Sequence, residues 1–225
     1  MLKKIFGKCD EKLIKIALTH PSYTKEKNLS DLENYERLEF FGDSVLKLFT
    51  SKLLYELYPE AAEGELSKIR SILVSDAILA QVAVKIGLDE LIILGPSEEK
   101  QGGRKRESNI ACSLEAVLGA YYFSGKQEKI EKFIKEYIIV YAEDIDKHFE
   151  KYNAKDILQQ YTQGKDKTRP EYKVVSVTGP AHKPVFNIEV IWNEKVIAKA
   201  CGKSKKEAEQ SAALEACKTL GIIEE

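Results

Sequence analysis

The chain has 225 residues, of which 44% are hydrophobic, so it is long enough for one large domain or two small ones, each with a buried core. Its 35 basic and 36 acidic residues give a net charge of −1, which excludes a polycation and requires any nucleic-acid-binding surface to be a local patch. The first residues are too charged for the apolar region of a secretory leader, and no run of about 18 apolar residues occurs. We therefore expect a cytoplasmic protein without a membrane partner.

The first part of the chain has a helical pattern. Up to residue 148, apolar residues recur at three- and four-residue spacing, which predicts an all-α domain over residues 1–148. A helix starting at Leu13 is expected to end at Pro21, and a long helix beginning in YERLEFFGDSVL (35–46) to end at Pro59. The remaining predicted helices cover residues 65–73, 76–86, 107–125 and 129–149.

After residue 150 the pattern changes to the alternation of β-strands. Three β-branched runs at 172–177, 185–192 and 195–201 are separated by GPAHKP and NE, which are typical of turns. A short helix at 154–163 precedes them and another at 203–220 follows. We therefore predict a two-domain protein whose second domain is a small α+β (α-β-β-β-α) module at 153–221, after a linker at 149–152.

The long helix carries an unusual number of acids for an apolar segment. Glu36, Glu39 and Asp43 fall within roughly 60° of each other at about 100° per residue. Like charges at this spacing weaken a helix, and Lys47 continues the same stripe. Alone, the stripe favours a solvated helix face over a metal site.

A second helix favours the metal site. Glu115 is the one acid in an otherwise small or apolar stretch of ten residues, and Ala116 and Gly119 predict a close approach to another helix. A core carboxylate needs a partner, which a shared divalent cation would supply. Oxygen ligands at helical spacing favour Mg²⁺ or Mn²⁺ over zinc. No histidine lies near these acids in sequence, and His20, just before Pro21, is interpreted as a structural residue.

Several motifs together resemble the endonuclease domain of bacterial ribonuclease III followed by a double-stranded-RNA-binding domain. The first domain carries ALTHPSY (17–23), YERLEFFGDSVL, GELSKIRS (64–71) and SLEAVLGAYY (113–122); the tail carries KDILQQYTQ, PEYKVVSVTGPAHKPVF and GKSKKEAEQSAA. The resemblance implies a homodimer that cuts both strands of duplex RNA with Mg²⁺, leaving 5′-phosphate and 3′-hydroxyl ends with a short 3′ overhang. No small-molecule cofactor is implied.

The resemblance also implies roles for particular acids. Asp43 and Glu115 match catalytic positions, and together with Glu39 they match metal-binding positions. Glu36 and Glu63 match supporting acids.

One position departs from the family. Cys112 stands where the family usually has a metal-binding aspartate, and a thiol is a poor ligand for Mg²⁺. Either water takes the missing place, or the metal site is weakened or lost. The second case would leave a double-stranded-RNA-binding protein without cleavage, and a purely structural helical dimer is a third possibility that leaves the tail unexplained. The four cysteines, Cys9, Cys112, Cys201 and Cys217, are far apart and are otherwise expected to be reduced and buried.

Two regions are candidates for RNA binding. Duplex RNA is read by shape, phosphates and 2′-hydroxyls, so the tail residues expected to contact it are Gln159, Gln160, His182, Lys203, Lys205 and Lys206. The lysines at the last helix can equally be a solvated cap beside Ser204. In the first domain, the loop GGRKRES places Arg104, Lys105 and Arg106 where they would guide phosphate, with an exposed solubilising loop as the equal alternative.

Overall fold

The computed structural model describes residues 2–180 and 183–223. The chain divides into two compact units, Met1–Glu143 and Asp144–Glu225. The first is helical and the second combines a sheet with two helices, so the predicted fold class is confirmed. No helix in the described part of the chain is long and apolar enough to cross a membrane.

The first unit is built from short helices around two long ones. Its helices are α1 Leu2–Phe6, α2 Glu11–Ala17, α3 Pro21–Glu26, α4 Glu36–Leu57, α5 Glu63–Leu73, α6 Asp76–Lys85, α7 Pro96–Lys100, α8 Glu107–Phe123 and α9 Gln127–Tyr137, and α10, Ala142–Lys147, follows at the boundary. The four predicted helices from the YERLEFFGDSVL segment to residue 125 are confirmed with small shifts at their ends.

Two helical predictions in this unit were wrong in part. Pro21 begins a new helix as well as following the old one, because proline is well suited to the first helical position and His20 caps that helix. The segment 129–149 is not one helix, since α9 ends at Tyr137 and a short 3₁₀ turn at Ile139–Tyr141 precedes α10. The β-branched run from Ile138 to Val140 has low helix propensity, which favours a break there.

The α4–α8 contact forms the centre of the first unit and depends on two glycines. A Cβ atom on Gly42 would collide with the backbone oxygen of Glu115, and one on Gly119 would lie 2.5 Å from the backbone oxygen of Leu38. The two backbones therefore touch without intervening side chains. The close approach predicted from the small residues around Glu115 is confirmed, and it brings Glu115 against α4.

The second unit is a three-stranded antiparallel sheet with two helices on one face. It consists of α11 Phe149–Asp166, β1 Glu171–Thr178, β2 Val185–Trp192, β3 Lys195–Gly202 and α12 Lys205–Thr219, with strand order β1-β2-β3. Asn193 and Glu194, both with positive φ, make the tight β2–β3 turn. The core between sheet and helices includes Leu158, Ile188, Val190 and small residues of α12 such as Ala212.

The residues predicted as the linker are helical. Residues 149–152 form the first turn of α11, so the first helix of the α+β module is longer than the predicted 154–163. Charged residues such as Glu150 and Lys151 are compatible with an exposed helical turn as well as with a loop, which is why composition alone did not predict this helical turn.

Candidate active site

The acids predicted on α4 and α8 meet in one concavity. It has a volume of about 390 Å³ and is lined by Glu36, Glu39, Phe40, Asp43, Ser44 and Glu115. Glu36 and Glu39 lie in the first turn of α4, Asp43 one turn further on, and Glu115 comes from the middle of α8. The acid stripe of α4 therefore forms one side of a site that α4 and α8 build together.

The tightest group in this concavity includes the unexpected thiol. One ligand atom each from Glu39, Cys112 and Glu115 lie within 4.8 Å of one another, and all three residues are half-buried. Cys112 and Glu115 are three residues apart on α8, so their side chains project to the same side, and Glu39 faces them from α4.

The ionised form of Glu115 is destabilised by its surroundings. Burial, as the main cause, raises the pKa of this carboxyl group to about 8, and repulsion by Asp43 and Glu39 acts in the same direction. The pKa of Glu39 is also raised, chiefly by burial, although a hydrogen bond from Cys112 opposes the shift. A cation bound between these carboxylates would stabilise their ionised forms and relieve the repulsion between them.

Asp43 is the acid with its own counter-charge. Lys47, one helical turn further along α4, donates to Asp43 Oδ2 at 2.7 Å, as the stripe pattern predicted. This ion pair is partly exposed and holds the Asp43 carboxylate at the edge of the concavity.

Cys112 adds no charge to the site. Burial raises the pKa of its thiol, and the neighbouring Glu39 and Glu115 carboxylates raise it further. At neutral pH the side chain is therefore a neutral thiol that donates a weak hydrogen bond to Glu39. The aspartate that the family pattern predicts here would add a fourth carboxylate to the predicted metal ligands Glu39, Asp43 and Glu115.

Glu63 is not brought into this cluster within the chain. It is the exposed first residue of α5, where its Oε1 accepts from the Ser67 hydroxyl at 2.7 Å. It lines a different concavity, of about 370 Å³, together with Arg70 and Tyr55.

One further acid near the site was not predicted from the sequence. Asp76, at the first position of α6, is exposed and close enough to raise the pKa values of Glu39, Cys112 and Glu115. It follows Ser75 at a helix start, where an acid has an ordinary structural explanation, so no local pattern links it to the site.

The residues fit a hard divalent cation. Three carboxylates from two rigid helices supply oxygen ligands, and the repulsion among them is the destabilisation that a cation relieves. Mg²⁺ normally keeps several waters, so a water can take the coordination position that a fourth carboxylate would fill.

His20 has a structural role, as predicted. Its Nδ1 accepts from the backbone N–H of Ser22 at 3.0 Å and caps α3, while its ring packs edge-on against Tyr35. Burial lowers the pKa of His20, so the neutral ring that this cap requires is favoured.

The basic loop is largely committed to internal contacts. Arg104 binds Glu99 bidentately and donates to the backbone oxygens of Asp89 and Ile92, at 2.8 and 3.0 Å. Arg106 pairs with Glu98 at 2.6 Å. Lys105 is exposed, and among the described residues no ion pair engages it. Among the described residues, the loop therefore offers one cation, Lys105, that no ion pair engages, and the phosphate contacts of all three basic residues stay a prediction.

The candidate RNA-binding side chains of the tail lie on α11 and around the start of α12. Gln160 is exposed and Gln159 half-exposed on α11. Lys203, Lys205 and Lys206 are exposed around the start of α12, where Ser204 accepts from the Glu207 N–H at 3.2 Å. His182, the other predicted contact, lies outside the described residues.

Comparisons with known proteins agree with both units. The family pattern described as Ribonuclease-III-like matches residues 10–142, and the double-stranded RNA binding motif matches residues 154–220. The chain is 44% identical over 202 residues to Ribonuclease 3 of Syntrophomonas wolfei, covering 89% of this chain and 85% of the relative. It is 42% identical over 209 residues to Ribonuclease 3 of Lactococcus lactis subsp. lactis, covering 93% and 90%.

A solved structure resembles the first unit. The nuclease domain of ribonuclease III from Campylobacter jejuni matches with 32% identity and a TM-score of 0.55, over 61% of this chain and 93% of that one. The chain belongs to the ribonuclease III family. It is an endoribonuclease that acts on double-stranded RNA, with a nuclease domain followed by a double-stranded-RNA-binding domain.

Proposed function

We propose that this endoribonuclease uses Mg²⁺, with Mn²⁺ able to substitute, to cut duplex RNA to 5′-phosphate and 3′-hydroxyl ends with a short 3′ overhang. We further propose that it processes structured precursors such as ribosomal RNA in the cytoplasm. The observation that carries the proposal is the convergence of Glu39, Asp43 and Glu115 in one concavity, with the pKa of Glu115 raised to about 8.

Each acid has a proposed role. Glu39, Asp43 and Glu115 would hold the ion, Asp43 and Glu115 being the catalytic pair. Lys47 orients the Asp43 carboxylate, and Glu36, at the open edge of the concavity, adds negative charge. When bound, Mg²⁺ would activate water, orient the scissile phosphate and stabilise the leaving 3′ oxygen.

The proposed assembly is a homodimer. A staggered cut needs two active sites at a fixed separation across the minor groove, which a two-fold pair of nuclease domains supplies. Phe40 supports this proposal, because it is 79% exposed on α4 beside the acidic concavity, and an aromatic ring that exposed is typical of a contact surface. Glu63 remains a proposed supporting acid.

The tail would hold the substrate. Lys203, Lys205 and Lys206 lie at the N-terminal end of α12, where both side-chain charge and the helix dipole favour phosphate. Gln159, Gln160 and His182 are proposed to contact the minor groove. Lys105 is the proposed phosphate contact of the basic loop, with Arg104 and Arg106 acting mainly to hold it.

A second function has one observation in its favour. The Cys112 thiol is neutral and supplies no carboxylate, so the metal affinity of the site could be too low for cleavage. The protein would then bind duplex RNA without cutting it. Cys112→Asp separates the two cases: it should lower the Mg²⁺ concentration needed for cleavage if the missing carboxylate matters, and change nothing if water replaces it.

The test of the main proposal is cleavage of a long RNA duplex with Mg²⁺, comparing the wild-type chain with Glu115→Gln and with the control Glu56→Gln. Glu56 is an exposed acid of α4 outside the concavity. We expect wild type and Glu56→Gln to give 5′-phosphate ends, and Glu115→Gln to bind duplex RNA without cutting it. Equal cleavage by all three, or cleavage that persists in excess chelator, would refute the proposal.

A further inference from the structure

The position of Cys112 gives the site a donor set that differs from a pure carboxylate site. Glu39, Cys112 and Glu115 offer two oxygens and one sulfur within 4.8 Å of one another. In the described part of the chain this is the only group of at least three histidine, cysteine or acidic side chains with that spacing. The side chains stand on α4 and α8, whose backbones are fixed against each other at Gly42 and Gly119.

Oxygen and sulfur donors select different ions. Mg²⁺ takes oxygen ligands and waters in a six-coordinate shell, whereas Zn²⁺ and Cd²⁺ bind thiolate strongly. Zinc sites that keep an open position use three protein ligands and one water, with metal–ligand distances of about 2.0–2.3 Å. The three donors can reach such a geometry through side-chain rotation, because they already face one another and Asp43 remains at the edge as a further oxygen ligand.

We propose that Glu39, Cys112 and Glu115 form a mixed oxygen–sulfur site that binds thiophilic divalent cations of the Zn²⁺ class in competition with the hard cation, and that such an ion inhibits cleavage. Binding exchanges the thiol proton for the metal: the S–H bond breaks, a metal–sulfur bond forms and the proton leaves to solvent. No electron is transferred. The inhibitory part of this inference rests on the proposed function, and the binding part does not.

Inhibition follows from the shared ligands. Glu39 and Glu115 belong both to the proposed hard-cation site and to the mixed site, so the two ions cannot occupy them together. We therefore expect Zn²⁺ to lower cleavage even when Mg²⁺ is in excess.

The remaining cysteines provide the controls. Cys201 is exposed on β3 and Cys217 is buried in the core of the second unit. Both belong to the second unit, whereas Glu39 and Glu115 belong to the first. Cys201→Ser is the matched control, because it removes an accessible thiol without touching the trio. Cys112→Ser removes the sulfur while keeping a side chain of similar size.

The first measurement uses Cd²⁺ alone as the probe, on the full-length, metal-stripped chain. Thiolate–cadmium bonds give a charge-transfer absorption in the ultraviolet, which reports binding without reference to activity. We expect one tight equivalent in the wild type and in Cys201→Ser, and loss of that band in Cys112→Ser. Glu39→Gln should weaken binding by at least about tenfold while all four thiols remain.

The second measurement concerns competition on RNA. Zn²⁺ should inhibit Mg²⁺-dependent cleavage by the wild type, and Cys112→Asp should raise the inhibitory Zn²⁺ concentration by at least about tenfold. Circular dichroism of each variant checks that the fold is kept. A cadmium band that survives in Cys112→Ser, or a wild type without such a band, would overturn the proposal.

The two proposals fail in different ways. If the wild type shows the Cys112-dependent band but never cuts RNA with Mg²⁺, the mixed site stands and the proposed function fails. If the wild type cuts RNA with Mg²⁺ but shows no Cys112-dependent band, the proposed function stands and the mixed site fails.

Discussion

The two units place the side chains of the proposed sites on different kinds of structure. The acids of the first unit stand on α4 and α8, the helices that pack most closely, and their charges repel one another. The lysines of the second unit stand at the exposed start of α12, outside its packed core. Cleavage of a phosphodiester needs groups that are held rigidly, and holding like charges close together lowers the stability of the fold. Recognition of duplex RNA by its shape needs only exposed positive charge on a stable domain.

The largest effect should come from separating α4 and α8. Gly42→Ala places a methyl group against the Glu115 backbone oxygen, which a helix packed on both sides cannot easily move away. We expect the free energy of unfolding of the nuclease unit to fall by about 3 kcal/mol or more, with loss of cleavage. Chemical denaturation, followed by circular dichroism, measures it.

The control for this change is Gly64→Ala. Gly64 lies in the first turn of α5, and a Cβ there meets nothing within 4 Å. Its replacement should leave stability unchanged or raise it by about 0.5–1 kcal/mol, because alanine restricts the unfolded chain more than glycine does. If both variants behaved alike, close backbone contact would not be what builds the site.

The next effect concerns the tail and its lysines. The triple change of Lys203, Lys205 and Lys206 to alanine should weaken duplex binding by about 10- to 100-fold. The slope of the logarithm of the binding constant against the logarithm of the salt concentration should become shallower by about two to three. Fluorescence anisotropy at several salt concentrations measures both quantities. Lys218→Ala is the matched control, because Lys218 lies at the far end of α12 and pairs with Glu215 at 3.0 Å. An unchanged salt slope in the triple variant would show that these lysines do not contact phosphate.

A smaller effect separates the two kinds of basic residue in the loop before α8. Arg104→Ala should cost about 1–2 kcal/mol of stability, because two backbone oxygens and Glu99 lose their donor. Lys105→Ala should leave stability unchanged and weaken RNA binding slightly at low salt. Thermal unfolding and anisotropy measure the two effects, and the reverse pattern would contradict the roles given to these residues.

Most of this organisation could be predicted from the sequence, since helical and β periodicities differ and the motifs occur at recognisable spacing. The stripe of Glu36, Glu39 and Asp43 is a local property of one helix, and Glu115 stood out because a lone acid among small residues needs a partner. Three features could not be predicted in this way. The contacts of Arg104 and the charge of Asp76 at the site depend on packing between distant segments, and Glu150 and Lys151 fit a helical turn as well as a linker.

The central claim is that α4 and α8 hold acids whose mutual repulsion a bound cation relieves. The most direct test is to measure the free energy of unfolding of wild type and Glu115→Gln with and without Mg²⁺. A pKa raised from 4.5 to about 8 means that ionising Glu115 costs stability. The contribution of protonated Glu115 to the free energy of unfolding is fully present below pH 4.5 and is lost as the pH rises through 8.

At pH 8.5 without metal we therefore expect Glu115→Gln to be more stable than wild type, by on the order of 1 kcal/mol after allowing for solvent screening, and the difference to vanish near pH 4. Mg²⁺ should reverse the order, because it stabilises the wild type and hardly affects the variant. A Glu115→Gln chain that is less stable than wild type without metal, or that gains as much from Mg²⁺, would contradict the account.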